Sequence, residues 1–239
     1  MEIEKIAKQI IVYSKLYYQK YSEKYNKKNL VKDSLEALNF FFGRVFYGGI
    51  WDSVCTKERD VTFTFIKSDG LLNILNQIKN KQYSAKKFVN KLKKIGVSNP
   101  RRGKMAYEIL EWLLNIPDFN CITYSINKIQ SREISSLFYQ LDKIFFIGPK
   151  KASFFLRDLV DYFNLHDFLK TDEFIYVLPI DTYINKFLIA LKLKNSEEKI
   201  RWENDAKKIL CFCEKADISP IVFDQGVWYA YANNKEITL

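Results

Sequence analysis

The sequence predicts an all-α protein with two helical lobes, and three observations carry that prediction. Only 8 Gly and 5 Pro punctuate 239 residues, which favours long helices with short connections. Apolar residues recur at helical spacing through most of the chain. The clearest period-two alternation, Val61-Thr62-Phe63-Thr64-Phe65, reads as a short strand but lacks an evident partner.

Residues 3–25 read as an amphipathic helix rich in Lys and Tyr. Asp33 or Ser34 caps a second helix with Leu35, Leu38, Phe41 and Phe42 among its apolar residues, ending near Gly48-Gly49. Helical patterns return at 71–79, 84–94, 101–114 and 135–143, then at 150–163, 181–193, 197–214 and 219–233. No repeat of fixed period, low-complexity tract or Gly/Ser-rich linker interrupts them. The two lobes are therefore expected to belong to one unit spanning 1–239.

The chain carries 38 Lys+Arg against 28 Asp+Glu and a single His, a net charge of +10. That excess points to a polyanionic partner. At 48% hydrophobic and 28% charged residues the composition is that of a folded globular protein. No apolar run reaches the roughly 20 residues needed to span a bilayer. The N-terminus alternates charged with apolar residues and has no hydrophobic core region, so the expectation is a cytoplasmic protein without membrane attachment. Cys55, Cys121, Cys211 and Cys213 contain no Cys-x-x-Cys pair, and His166 lies near none of them. That spacing argues against a zinc site or an iron–sulfur cluster and for four reduced thiols.

Between two helical patterns lies Ile144-Phe145-Phe146-Ile147-Gly148-Pro149-Lys150-Lys151-Ala152. A short turn closed by Gly148 and Pro149 makes a helix-hairpin-helix, since Pro suits the first turn of the second helix. Unpaired N–H groups at such a helix start attract a phosphate, and Lys143, Lys150 and Lys151 add charge there. An ordinary helix corner with solvated lysines fits this fragment equally well. The following helix sharpens the choice. Ala152, Phe155, Leu156, Leu159, Val160 and Phe163 form one apolar stripe, leaving Phe154 among Lys150, Arg157 and Asp161 on the opposite face. An aromatic ring one turn from a lysine is placed to stack a nucleobase. The helix dipole and the neighbouring Lys151 both favour the neutral, nucleophilic form of Lys150.

Two further pieces carry chemistry. In Leu178-Pro179-Ile180-Asp181-Thr182-Tyr183, Asp181 is placed to cap a helix or to act as a carboxylate. In Asp224-Gln225-Gly226-Val227-Trp228, Asp224 and Trp228 share one helical face, where Trp228, judged alone, is more often core than a stacking surface.

Together these pieces resemble the helix-hairpin-helix base-excision DNA glycosylases, and within them the archaeal 8-oxoguanine DNA glycosylase/AP lyase branch. The resemblance rests on the hairpin lysine, the long interval to Pro179-x-Asp181, Phe154 four residues after Lys150, and the Asp224-x-x-x-Trp228 pair. Lys94-Ile95-Gly96-Val97, followed by Arg101-Arg102-Gly103-Lys104, adds a local likeness. It covers roughly residues 90 to 235. Two departures stand out: Phe146 occupies the first glycine of the usual Gly-x-Gly hairpin, and the adjacency of Lys150 and Lys151 leaves the nucleophile open by one residue.

The resemblance implies one catalytic unit with its active site in the cleft between two lobes. These are expected at 35–165 (a helical barrel with the hairpin) and at 1–34 plus 166–239. The implied activity is removal of 8-oxoguanine by a bifunctional glycosylase/AP lyase acting on double-stranded DNA as a monomer, with no metal or other cofactor. Lys150 and Asp181 take the catalytic roles. Phe154 and Trp228 grip the everted base, Asp224 and the backbone near Pro179 receive base-edge donors, and Trp51 is the candidate N-terminal base reader. Lys143, Gly148, Lys151, Arg157, Arg101 and Arg102 meet the DNA backbone. Two alternatives stay open: a non-catalytic helix-hairpin-helix DNA-binding module, and a glycosylase for another damaged base.

Overall fold

The computed structural model describes residues 2–47 and 52–238, and all regular elements among them are helical. The chain forms two compact units, one of residues 26–155 and the other of residues 1–25 with 156–239. The division falls inside a single helix, α10, between Phe155 and Leu156.

The unit of residues 26–155 contains α2 (Lys27–Lys32), α3 (Ser34–Val45), α4 (Asp52–Asp69), α5 (Leu71–Lys79), α6 (Ala85–Lys94), α7 (Pro100–Leu113), α8 (Cys121–Gln130) and α9 (Ile134–Asp142), and the start of α10 (Gly148–Phe163). Short polar side chains cap α2, α3, α6, α7 and α8, as capping chemistry favours. Asp33 Oδ1 accepts from the amides of Leu35 and Glu36 at 2.8 and 3.2 Å. Asn120 Oδ1 does the same for Ile122 and Thr123. The core is aromatic: Phe40, Phe41, Phe42, Phe88 and Phe155 are fully buried, and the Phe41 and Phe155 rings meet edge to face at 4.6 Å between centroids.

The expected strand at Val61–Phe65 is absent: the segment lies inside α4. Its buried residues Cys55, Glu58, Thr62, Phe65 and Ile66 are spaced by three and four, so the helical period wins over a five-residue alternation with nothing to pair with. Trp51 and the Gly48-Gly49 terminus lie outside the described residues.

The other unit holds α1 (Glu2–Tyr21), the remainder of α10, α11 (Thr182–Ala190), α12 (Trp202–Ala216) and α13 (Pro220–Ala232). Ile10, Ile184, Phe187, Ile209, Phe223 and Val227 build its apolar centre. Helices α1 and α13 approach backbone to backbone at Gly226, where any Cβ would be driven into the Ile10 carbonyl oxygen. Ser14 Oγ donates to Gln225 Oε1 at 2.9 Å, and Gln225 Nε2 donates to Asp161 Oδ2 at 2.9 Å.

Candidate functional site

In the unit of residues 26–155, α9 and α10 are joined by a tight turn through residues 144–147. Phe146 adopts φ +68° and Gly148 φ +65°, the left-handed region that glycine enters without steric cost and phenylalanine does not. The side chain of Lys151 holds this turn. Its Nζ donates to the Phe146 carbonyl oxygen at 3.0 Å, lies 4.1 Å from the centre of the Phe146 ring and approaches Met105 Sδ at 3.8 Å. Helix α7 braces the same turn: Glu108 Oε2 accepts from the Phe145 amide at 2.7 Å, and Lys104 Nζ sits 4.2 Å over the Phe145 ring.

The two lysines in the first turn of α10 therefore differ. Lys151 is 8% exposed. Burial, aided by the charges of Arg102 and Lys150, holds its ammonium well below the ordinary value, at about 7, with Cys55 opposing. Lys150 is exposed at the start of α10, and Phe154, one turn on, is half-buried. Lys143 and Arg101 are exposed as well.

Three expected DNA-backbone contacts are corrected by burial. Lys151 is committed to the turn. Arg102 is completely buried, its Nη1 3.0 Å from Glu58 Oε2 and its Nε donating to the Phe46 carbonyl oxygen at 3.2 Å. Arg157 is also completely buried, paired with Asp158 and Asp224 and donating to the Tyr17 hydroxyl. The reading of α10 as amphipathic misplaced Arg157: from Ala152 to Val160 all but Phe154 are buried, so both faces are covered and the polar one by carboxylates. A shared pattern appears at two helix starts. Pro100-Arg101-Arg102 and Pro149-Lys150-Lys151 each expose the first cation and bury the second against a backbone carbonyl.

In the unit of residues 1–25 and 156–239, Asp181 caps α11, its Oδ1 accepting from Tyr183 N and Ile184 N at 2.8 and 3.0 Å. Pro179 is buried just before it. Asp224 is completely buried, which corrects its expected contact with a base edge. Burial pushes its carboxyl up to about 7 against the pull of Arg157, and Asp181 and Asp158 add repulsion. Its Oδ1 has no hydrogen-bond partner among the described residues. Trp228 is half-buried, with the Tyr17, Tyr21 and Tyr183 rings edge-on to it at 5.8, 5.6 and 6.5 Å. None of the three tyrosines was read as a site residue from the sequence; the Tyr-rich pattern of α1 signals Tyr17 and Tyr21, and Tyr183 lies in the segment that follows Asp181.

The arrangement supplies an exposed lysine at a braced turn and, in the other unit, a capping carboxylate with an indole framed by phenols. Among the described residues no group of side chains is arranged to hold a metal ion, and no helix is long and apolar enough to cross a membrane. Comparison with known protein families, curated proteins and solved structures finds no match to this chain.

Proposed function

We propose that the protein is a DNA glycosylase/AP lyase that removes 8-oxoguanine from double-stranded DNA with Lys150 as nucleophile. The observation that carries this reading is the division of labour between the hairpin lysines. Lys151 clamps the turn through Phe146, and Lys150 presents its side chain to solvent beside Phe154. In the reaction the neutral Lys150 amine attacks the sugar C1′, and the bond from C1′ to the base breaks. The base leaves with the bonding electrons and takes up a proton; the C1′–O4′ bond then opens, O4′ taking up a proton as the lysine nitrogen loses one, and C1′ becomes an imine. The imine acidifies the C2′ proton, whose removal expels the 3′ phosphate and cuts the strand. In this reading Asp181 is the carboxylate that answers the positive charge on the sugar, and Phe154 and Trp228 are each candidate stacking surfaces for a nucleobase.

Borohydride reduction of the imine on an oligonucleotide carrying 8-oxoguanine tests the reading. A covalent complex that is lost in Lys150→Gln supports it. Tight binding with no complex on any lesion favours the second reading, a non-catalytic DNA-binding hairpin. That alternative draws on two observations: Asp181 already serves as a helix cap, and Asp224 is spent on Arg157 inside the fold.

A further inference from the structure

The net charge of the chain is concentrated in one stretch. Residues 70–107 contain ten of the 38 cations and no Asp or Glu, leaving 28 cations against 28 carboxylates elsewhere. The entire excess of +10 thus resides in α5, α6, the first half of α7 and their connections.

The structure displays this charge instead of neutralising it. Arg102 is buried on Glu58, Lys91 pairs with Asp69 at 2.8 Å and Lys104 with Glu108 at 3.6 Å. Lys79, Lys81, Lys86, Lys87, Lys93, Lys94 and Arg101 are exposed and paired with no carboxylate among the described residues. On α6 the 100° step between residues gathers Lys86, Lys87, Lys91, Lys93 and Lys94 on one side, with Lys86 and Lys93 about 10 Å apart along the axis. Phe88 and Leu92 occupy the other side and are fully buried. The α6–α7 corner is anchored from beneath: Glu58 Oε1 accepts from Ser98 Oγ at 2.6 Å and from Asn99 N at 2.9 Å. Helix α7 then reaches the hairpin turn through Glu108 and Met105.

We propose that the α6–α7 face is the docking surface for the phosphate backbone of duplex DNA and supplies most of the salt-dependent affinity of the chain. Lysine-rich surface is depleted at protein–protein interfaces, which use aromatic anchors, and the apolar side of α6 is spent on the core, so nothing on that helix inserts into a membrane. Flexible ammonium groups without base-reading partners match backbone contacts, which position the protein without selecting sequence. From the proposed function this takes only that the partner is DNA. It requires no covalent chemistry at Lys150.

The test uses the full chain and a short, undamaged, fluorescein-labelled duplex, so that lesion chemistry plays no part. Lys86, Lys87, Lys93 and Lys94 are changed together to Glu, and in a second variant to Gln. A control changes Lys5, Lys8, Lys15 and Lys215 to Glu, and circular dichroism checks that each variant is folded. We expect anisotropy to show at least tenfold weaker binding for the α6 variants at low salt. The slope of log affinity against log salt should be shallower by about 0.9 for each phosphate that the variant no longer neutralises, and the control should bind as the unchanged protein does. Equal losses in the α6 and control variants, or no loss in either, overturn the proposal. It is also overturned if the unchanged protein binds phosphatidylserine vesicles or polyglutamate through α6 but not the duplex. Borohydride trapping at saturating protein reports separately on Lys150, so a failed lyase reading and a failed docking surface give different results.

Discussion

Lys151 Nζ donates a 3.0 Å hydrogen bond to the carbonyl of Phe146, a residue held at φ +68°. The α9–α10 turn thus achieves with a phenylalanine and a buried amine what a glycine makes unaided. That contact predicts an energetic coupling between the two residues. Lys151→Met should cost about 1–2 kcal/mol of stability when Phe146 is present and under about 0.5 kcal/mol in a Phe146→Gly background, where neither strain nor ring needs holding. Chemical denaturation of the four proteins of the cycle measures this; equal costs in both backgrounds would mean that the lysine does not brace the turn.

The same lysine makes stability depend on pH. Its folded-state proton affinity lies near 7, against an ordinary value of 10.5. Between those values the unfolded chain binds more protons than the folded one, so the contribution of Lys151 to stability rises with pH through that window and is flat below it. The difference in unfolding free energy between the unchanged protein and Lys151→Met should therefore grow from pH 7 toward pH 10. A difference that stays constant would place the amine in a wetter environment than the structure gives it.

Asp181 serves the fold and, in our proposal, the chemistry, and two substitutions separate the roles. Asparagine caps a helix about as well as aspartate, whereas alanine loses the cap at a cost of about 1 kcal/mol. Asp181→Asn should melt like the unchanged protein yet release 8-oxoguanine at least about 100-fold more slowly. Asp181→Ala should lose both. Full base release by the Asn variant would reduce Asp181 to a cap.

Gly226 sets the approach of α1 to α13. A methyl group there meets the Ile10 carbonyl oxygen, and backbone yields less readily than a side chain. Gly226→Ala should destabilise by about 2 kcal/mol or more, read as a fall in melting temperature. A neutral result would show that the helices can part without loss.

Much of the fold was legible because helical periodicity and capping are local. Asp33 and Asp181 cap the helices that their positions announce. The strand reading at Val61–Phe65 failed because five alternating residues weigh less than burial at three- and four-residue spacing across all of α4. Solvent access at the candidate positions was not legible. Lys143, Lys150, Phe154, Arg101 and Trp228 have exposed or half-buried side chains, whereas Arg102, Lys151, Arg157 and Asp224 are buried with partners far away in sequence, such as Glu58 and Tyr17. A cation on a charged helical face looks the same in sequence whether water or a carboxylate covers it.

The most direct test of the central claim is peptide mapping by mass spectrometry of the borohydride-reduced complex with an 8-oxoguanine duplex. The account predicts a deoxyribose remnant on Lys150. A reduced complex whose sugar is carried by another residue, or the absence of any complex with either 8-oxoguanine or an abasic site, would contradict it.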